Sequence, residues 1–399
     1  MRRLAAPLVL GAALAVFACC CLLGPGGLLT SWHAADVSYY GQLGARLRDG
    51  VVPYRTLYVE YPPGALPVFA APAVSEPHFV ELFKILMALC GAATLVLIAA
   101  AVRTLDPSPL RLGVALAPLA LAPVLLGSVF LNRFDPWPML LTAAALLALV
   151  RGRTLWGAGW LSAAVVTKIF AAAALPVAAV RIGRTAGRSG LERAALLFVA
   201  IAAVVVLPFA AVGPGGLAYS FHIQLTRHLE IESVAASLLL AADRLGLYGA
   251  RIVSGKPGSQ DLAGSLPTAL GVLSTLAAVG GALAVAYWYA RGPEGRERLV
   301  VAFAGSIAAY VALSKVLSPQ YLVWLLPVVA VVGGRVGYLA TGLLAAALVL
   351  TRLEFSHWNS INAIGPAVWL LVARNVVVVG LFAVLAVRVA RRTDSLAAT

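Results

Sequence analysis

A carboxylate held at a lipid–water boundary can take the proton of an attacking hydroxyl, and a lipid-borne phosphate sits at the same depth. Asp36 has that position. It lies seven residues beyond an apolar run over residues 4–29, in the aromatic stretch Trp32-His33-Ala34-Ala35-Asp36-Val37-Ser38-Tyr39-Tyr40. The structural alternative, compatible with the first, is that Asp36 caps a helix over residues 37–49 that Gly50 then ends. The same loop continues through Gly50-Val51-Val52-Pro53-Tyr54 to Tyr58-Val59-Glu60-Tyr61-Pro62-Pro63-Gly64. There the proline pair fixes an extended path beside Glu60. Glu60 either orients a substrate or the base, or pairs with Arg55. The candidate cations are Arg133, Lys168, Lys315, and Arg227 with His228. An ionisable residue at membrane depth is a functional candidate by default. Against that stand local roles: Lys168 snorkels, Lys315 anchors a helix end, and Arg133 pairs with Asp135 across a turn. His33, His222 and His357 are isolated, and structural roles outweigh catalytic ones for each. Cys19, Cys20, Cys21 and Cys90 have no zinc-ligand spacing, so neither disulfides nor a metal cluster is expected.

The elements that must position these residues are written in the composition. Of 399 residues 61% are apolar and 12% charged, and the mean hydropathy is +0.93. A water-soluble core needs far less apolar surface. The apolar runs lack the alternation of barrel strands, so the spanning elements are helices. The expected fold is therefore all-α, a polytopic integral membrane bundle. After residues 4–29 the runs cover 79–102, 110–131, 137–150, 155–180, 194–212, 266–290, 299–313, 319–332, 336–350 and 367–387. Residues 1–399 form a single transmembrane domain in this reading, with external loops at 31–78 and 213–265. An amphipathic helix is expected over residues 234–247, either lying on the outer surface or packed as an ordinary loop helix. The first run is longer than a leader's apolar core and is expected to stay as a helix.

The net charge of +14 lies in short basic clusters between runs, which excludes a continuous nucleic-acid face and fits the positive-inside rule. Arg2 and Arg3, Arg151 and Arg153, the basic stretch 181–193, and Arg388, Arg391 and Arg392 then face the cytoplasm, with both termini. The run 155–180 is basic at both ends, which a single crossing does not permit if both ends are cytoplasmic. If the run crosses once, every later loop inverts and the tail of Arg388, Arg391 and Arg392 faces outward, against the rule. Two half-helices meeting near Thr167 and Lys168 resolve the conflict, each climbing about 18 Å. The count is then about 10–12 transmembrane segments. Asp36, Glu60, Asp135, Glu230, Glu232, Asp261 and Glu354 fall on the external side, so chemistry is expected there.

Those residues also carry a resemblance. The Asp soon after the first span, the turn from Gly50 to Tyr54 and Glu60-Tyr61-Pro62-Pro63 resemble bacterial glycosyltransferases of the GT-C superfamily, and family 87 in particular. Asn132-Arg133-Phe134-Asp135-Pro136-Trp137-Pro138, Thr167-Lys168 and Leu317-Ser318-Pro319-Gln320-Tyr321-Leu322-Val323-Trp324 extend it over most of the chain. The resemblance implies inverting transfer of a hexose, mannose in family 87, from a polyprenyl-phosphate donor to a lipid-linked or cell-envelope glycan. It implies this at the outer face of a bacterial plasma membrane. It assigns the general base to Asp36; Glu60, Tyr61, Arg133, Asp135, Lys168, Lys315, Gln320 and Tyr321 are the candidate substrate contacts beside it. The leaving phosphate carries its own charge, so cations rather than an acid are required and neither metal nor cofactor is expected. Related GT-C enzymes use arabinofuranose and other donors, which leaves the sugar open. The rival readings are a transporter or lipid flippase, supported by the broken run at Lys168, and a polymerase or ligase of lipid-linked glycans using Arg227 and His228.

Overall fold

Apolar runs in lipid must satisfy every backbone group internally, and helices are what they form here. The computed structural model describes residues 2–31, 33–255 and 259–391; Trp32 of the aromatic stretch and Arg392 of the basic tail lie outside them. Six helices among the described residues are long and apolar enough to cross a membrane, and the shorter apolar helices include Pro109–Leu125, Pro136–Val150 and Tyr321–Ala330. The protein is a polytopic all-α membrane bundle. It divides into two compact units, the first running to Ala172 and including Thr185–Thr226, the second comprising Ala173–Arg184 and the residues from Arg227 onward.

The first unit is built from α1 (Arg2–Leu23), α2 (Ala35–Arg48), α3 (Phe79–Leu105), α4 (Pro109–Leu125), α5 (Pro136–Val150), α6 (Thr154–Thr167), the later part of α7 (Leu175–Val212) and α8 (Pro214–Thr226). Helix α1 packs on α3 and α4, α3 on α5, and α5 on α6. The Phe17 ring meets Phe130 edge-on at 5.8 Å. The run 155–180 is interrupted near Thr167 and Lys168. Helix α6 stops at Thr167, Lys168 turns extended at φ −157° and ψ 124°, and a 3-10 turn over Ile169–Ala174 leads on. A second interruption, Gly187 at φ 68°, falls inside α7.

Helix α2 corrects one expectation. It starts at Ala35 with Ala34 as cap residue and no side-chain cap, so Asp36 lies in the first turn and does not cap it. The helix starts two residues earlier than expected, and its head is held from a distance, by Asn132 Oδ1 accepting from the Ala34 N–H at 3.2 Å. That frees the Asp36 carboxylate, which the positive end of the helix also favours. Gly50, at φ 79°, ends α2 as expected, with its N–H on Leu47 O at 3.1 Å.

Helix α8 is locked to the loop after α2. A Cβ on Gly216 would collide with the Tyr54 carbonyl oxygen, so only glycine permits this approach. Tyr54 is itself in the left-handed region at φ 63°, a cost for a bulky residue. Its N–H on Leu57 O at 2.8 Å and its hydroxyl on Tyr61 O at 2.6 Å hold it there.

The second unit contains α9 (Val234–Arg244), α10 (Ser265–Arg291), α11 (Arg296–Leu313), α12 (Tyr321–Ala330), α13 (Gly334–Ser356) and α14 (Val368–Ala390). Helix α9 is the expected amphipathic element, and of the two readings the packed loop helix is correct. It buries Ala236, Ser237, Leu240 and Ala241 against α14. Asn375 of α14 donates to Glu232 O at 3.1 Å, Ser233 O at 3.2 Å and Ser237 Oγ at 2.9 Å. The loop also holds a small antiparallel sheet, β1 (Leu229–Glu230), β2 (Ile252–Ser254) and β3 (Gln260–Leu262), in the order β1-β3-β2. Strands of two or three residues are too short to show an alternation in sequence.

Candidate active site

Four consecutive side chains, Asn132, Arg133, Phe134 and Asp135, build the site between α2, the first loop and the end of α6. Each goes to a different neighbour. Asn132 is fully buried; its amide donates to Gly26 O at 3.2 Å and Ser128 O at 2.8 Å, while its oxygen holds the head of α2. Arg133 donates from Nη1 to the Asp36 carboxylate. Phe134 enters a cluster of rings, 4.8 Å from Tyr61 and 5.5 Å from Phe69. Tyr40 completes it, stacked on Phe69 at 4.7 Å. Asp135 pairs with Lys168 Nζ at 2.7 Å, and that ammonium also lies 4.5 Å above the Phe134 ring.

The fold therefore replaces two expected local arrangements. Arg133 and Asp135 do not neutralise each other across their turn; Arg133 reaches back to Asp36 and Asp135 to Lys168. Lys168 does not snorkel, because the extended break at the end of α6 carries it to Asp135. Gly64 sets that break against the first loop. Its carbonyl accepts from Thr167 Oγ1 at 3.2 Å and from Trp137 Nε1 at 3.3 Å. A Cβ at residue 64 would lie only 2.6 Å from Thr167 Oγ1.

Burial opposes the charge on Arg133, but the surrounding Tyr40, Asp36, Tyr61 and Asp135 outweigh it and raise its pKa. Arg133 is a permanent cation. Burial pushes the Tyr40 phenol up, with Asp36 and Asp135 adding to the effect. Tyr61 is raised well above the ordinary tyrosine value by burial, Tyr40 and Glu60, and its hydroxyl is bonded to Glu60. Both phenols are therefore neutral donors and not bases. Glu60 is buried, its backbone carbonyl accepts from Gln224 Nε2 at 3.3 Å, and its charge also acts on Lys168. Arg55 is exposed, and among the described residues no ion pair joins it to Glu60.

Of the sequence candidates, Asp36, Glu60, Tyr61, Arg133, Asp135 and Lys168 converge in the first unit. Asp36 and Arg133 keep about a quarter of their side chains exposed, at 26% and 28%, so the pair is open to a ligand. Lys315, Gln320 and Tyr321 belong to the second unit and are organised by a residue that sequence reasoning left without a role. The Glu230 carboxylate accepts from Leu317 N–H at 3.0 Å and from Ser318 Oγ at 2.9 Å, and pairs with Arg227 at 3.3 Å. Lys315 O accepts from Glu230 N–H at 3.0 Å. Burial and the nearby Arg227 lower the Lys315 pKa. Tyr321 stacks on Trp324 at 3.9 Å. The sequence marked Glu230 only as one of the acidic residues of the long loop, beside Glu232, Asp243 and Asp261, which alone names no partner. Among the described residues no three His, Cys, Asp or Glu side chains converge to hold a metal ion.

A helix bundle in lipid, with a carboxylate on the helix that follows its first span and a cation reaching it from a later turn, is the architecture of a GT-C membrane glycosyltransferase. The chain belongs to glycosyltransferase family 87, whose profile matches residues 58–319. Asp36 precedes the matched residues, and Gln320 and Tyr321 follow them. The crystal structure of ArnT from Cupriavidus metallidurans bound to undecaprenyl phosphate is similar, with a TM-score of 0.50 and 15% identity over 96% of this chain and 76% of that one. The apo state of the same protein gives a TM-score of 0.49 at 14% identity, covering 96% and 77%. No curated protein sequence matches the chain.

Proposed function

We propose that the chain moves a hexose, mannose by the family resemblance, from a polyprenyl-phosphate donor to a lipid-linked or cell-envelope glycan at the outer face of a bacterial plasma membrane. The observation that carries this reading is the half-open Asp36–Arg133 pair at the start of α2, with Lys168 close by, in a member of glycosyltransferase family 87. A lipid phosphate as donor handle agrees with the undecaprenyl phosphate bound by ArnT.

In the proposed step the acceptor oxygen forms a bond to the anomeric carbon on the side opposite the phosphate, which inverts the configuration. The bond from the anomeric carbon to the phosphate oxygen breaks, and its electron pair leaves with the polyprenyl phosphate. Asp36 takes the hydroxyl proton. The leaving phosphate passes from one negative charge towards two, and that added charge is what a fixed cation stabilises. Arg133 is suited to the task because its planar fork can engage two phosphate oxygens and it stays charged when buried.

Radiolabelled polyprenyl-phosphate mannose incubated with the purified protein in detergent and membrane lipids tests the proposal. Label should pass to a lipid-linked product; a wild type that leaves all label on the donor contradicts it. In the same assay Arg133→Ala should lower kcat/KM for the donor by about ten- to a hundredfold, the value of one or two charge-assisted hydrogen bonds. Arg133→Lys should recover only part of that. An unchanged donor dependence in Arg133→Ala would take the phosphate away from this residue.

A further inference from the structure

The Asp36–Arg133 pair accounts for a donor and a base but leaves the acceptor without a seat. Beside it the structure exposes rings that the ion pairs do not use. Tyr58 is 40% and Tyr219 49% exposed, and their rings meet edge-on at 5.6 Å and 62°. The His222 ring lies 6.5 Å from Tyr219 and nearly parallel to it. These residues come from two distant stretches, the first loop and α8. They meet because Gly216 packs on the Tyr54 carbonyl and Gln224 holds Glu60 O. The arrangement is thus fixed by a backbone contact on one side and a side-chain hydrogen bond on the other.

A buried carboxylate adjoins the rings. Burial, with Glu60 and Tyr219 adding to it, pushes the Tyr58 phenol up to about 12, and Glu60 adds to the effect of burial on Tyr39 as well. Tyr39 follows Asp36 by three residues on α2, so the two share a helix face. One strip therefore joins Asp36, Tyr39 and the paired Tyr58 and Tyr219 rings, with the buried Glu60 carboxylate alongside. The chemistry of such a strip is specific. A pyranose has an apolar face of C–H groups, which lies well on an aromatic ring, and a rim of hydroxyls, which need a carboxylate and phenols within reach. Lipid at an interfacial tyrosine would match the rings but has no use for a buried carboxylate beside them.

We infer that Tyr58 and Tyr219, with Tyr39 and Glu60 beside them, form a subsite for a pyranose ring of the acceptor glycan. The inference rests on the transferase reading above and names the acceptor's recognition element as a sugar ring, not as its lipid. In this arrangement α8 is a specificity element. Variation at Tyr219 changes which acceptor is used without touching the donor.

The test is isothermal titration of the purified full chain in a sugar-free detergent with the methyl pyranosides of mannose, glucose and galactose, and cyclohexanol as control. At least one pyranoside should bind the wild type and cyclohexanol should not. Tyr219→Ala and Tyr58→Ala should each weaken that binding by about tenfold, and Tyr219→Phe, which keeps the ring, should retain it. Both side chains are on the surface, and an unchanged melting temperature certifies the fold of each variant. No binding of any methyl pyranoside to wild type, or equal binding by folded alanine variants, overturns the subsite. Wild-type transfer from labelled polyprenyl-phosphate mannose to membrane lipids, run alongside, separates the two claims. Transfer without ring dependence ends the subsite alone, and absence of transfer ends the reading beneath it.

Discussion

Asp36→Asn should lower transfer by about a hundred- to ten-thousandfold, the range spanned by loss of a positioned general base, while the protein stays folded and binds its donor. Other contacts hold α2 in place. The head of that helix is tied to Asn132 through the Ala34 N–H at 3.2 Å, and its far side is buried through Val37, Tyr40, Leu43 and Gly44. None of these contacts involves the Asp36 carboxylate. Asparagine has the same shape and offers Arg133 an amide oxygen in place of a carboxylate oxygen. The pair is over a quarter exposed on both sides, so the lost charge costs about 1 kcal/mol or less. What asparagine cannot do is accept the hydroxyl proton. Asp36→Glu keeps the base but moves it by one methylene, and should fall between the two. The label-transfer assay, with melting temperature and donor binding measured on the same samples, reads all three. Near-wild-type transfer by Asp36→Asn would move the base elsewhere.

The second large effect is on stability. Asp135→Ala should destabilise the first unit by about 3 kcal/mol, because it removes the carboxylate from a buried ammonium. The Asp135 side chain is 1% exposed and that of Lys168 17%, so water screens little of the loss. The Phe134 ring at 4.5 Å and the charge of Glu60 offset part of it. Replacing both partners, Asp135→Leu with Lys168→Met, should recover much of the stability, since apolar side chains of similar volume suit the same space. Thermal unfolding in detergent distinguishes the variants: a single mutant as stable as wild type would show that the pair is not structural. If the double variant recovers its melting temperature but transfers poorly, Lys168 acts on the substrate as well as on Asp135.

How much of this could be read in the sequence divides along physical lines. Burial against lipid is a property of runs, so the all-α bundle and its apolar segments were legible. So was an interruption near Lys168, which the basic residues at both ends of one run suggested and the end of α6 at Thr167 shows. Partners of side chains were not legible. Spacing favours neighbours, and it suggested Arg133 with Asp135 and Asp36 with its own helix end. The fold instead brings Asn132 and Arg133 to residues almost a hundred positions earlier. The same limit applies to Ser318, Pro319 and Gln320, whose turn is held by Glu230 from a distant loop. Tyr219 had no signal at all, since its role depends on one glycine seating α8 against Tyr54.

The proposed transfer requires Asp36 to stand outside the cell, next to the headgroups, and Ser38 on the same helix reports where it stands. With Cys19, Cys20, Cys21 and Cys90 replaced by alanine, Ser38→Cys on the exposed side of α2 should react with a membrane-impermeant maleimide in intact cells. Arg188→Cys, in the basic stretch, should react only after the membrane is permeabilised. The opposite pattern, with position 38 shielded until permeabilisation, would place the carboxylate on the cytoplasmic side and contradict the account.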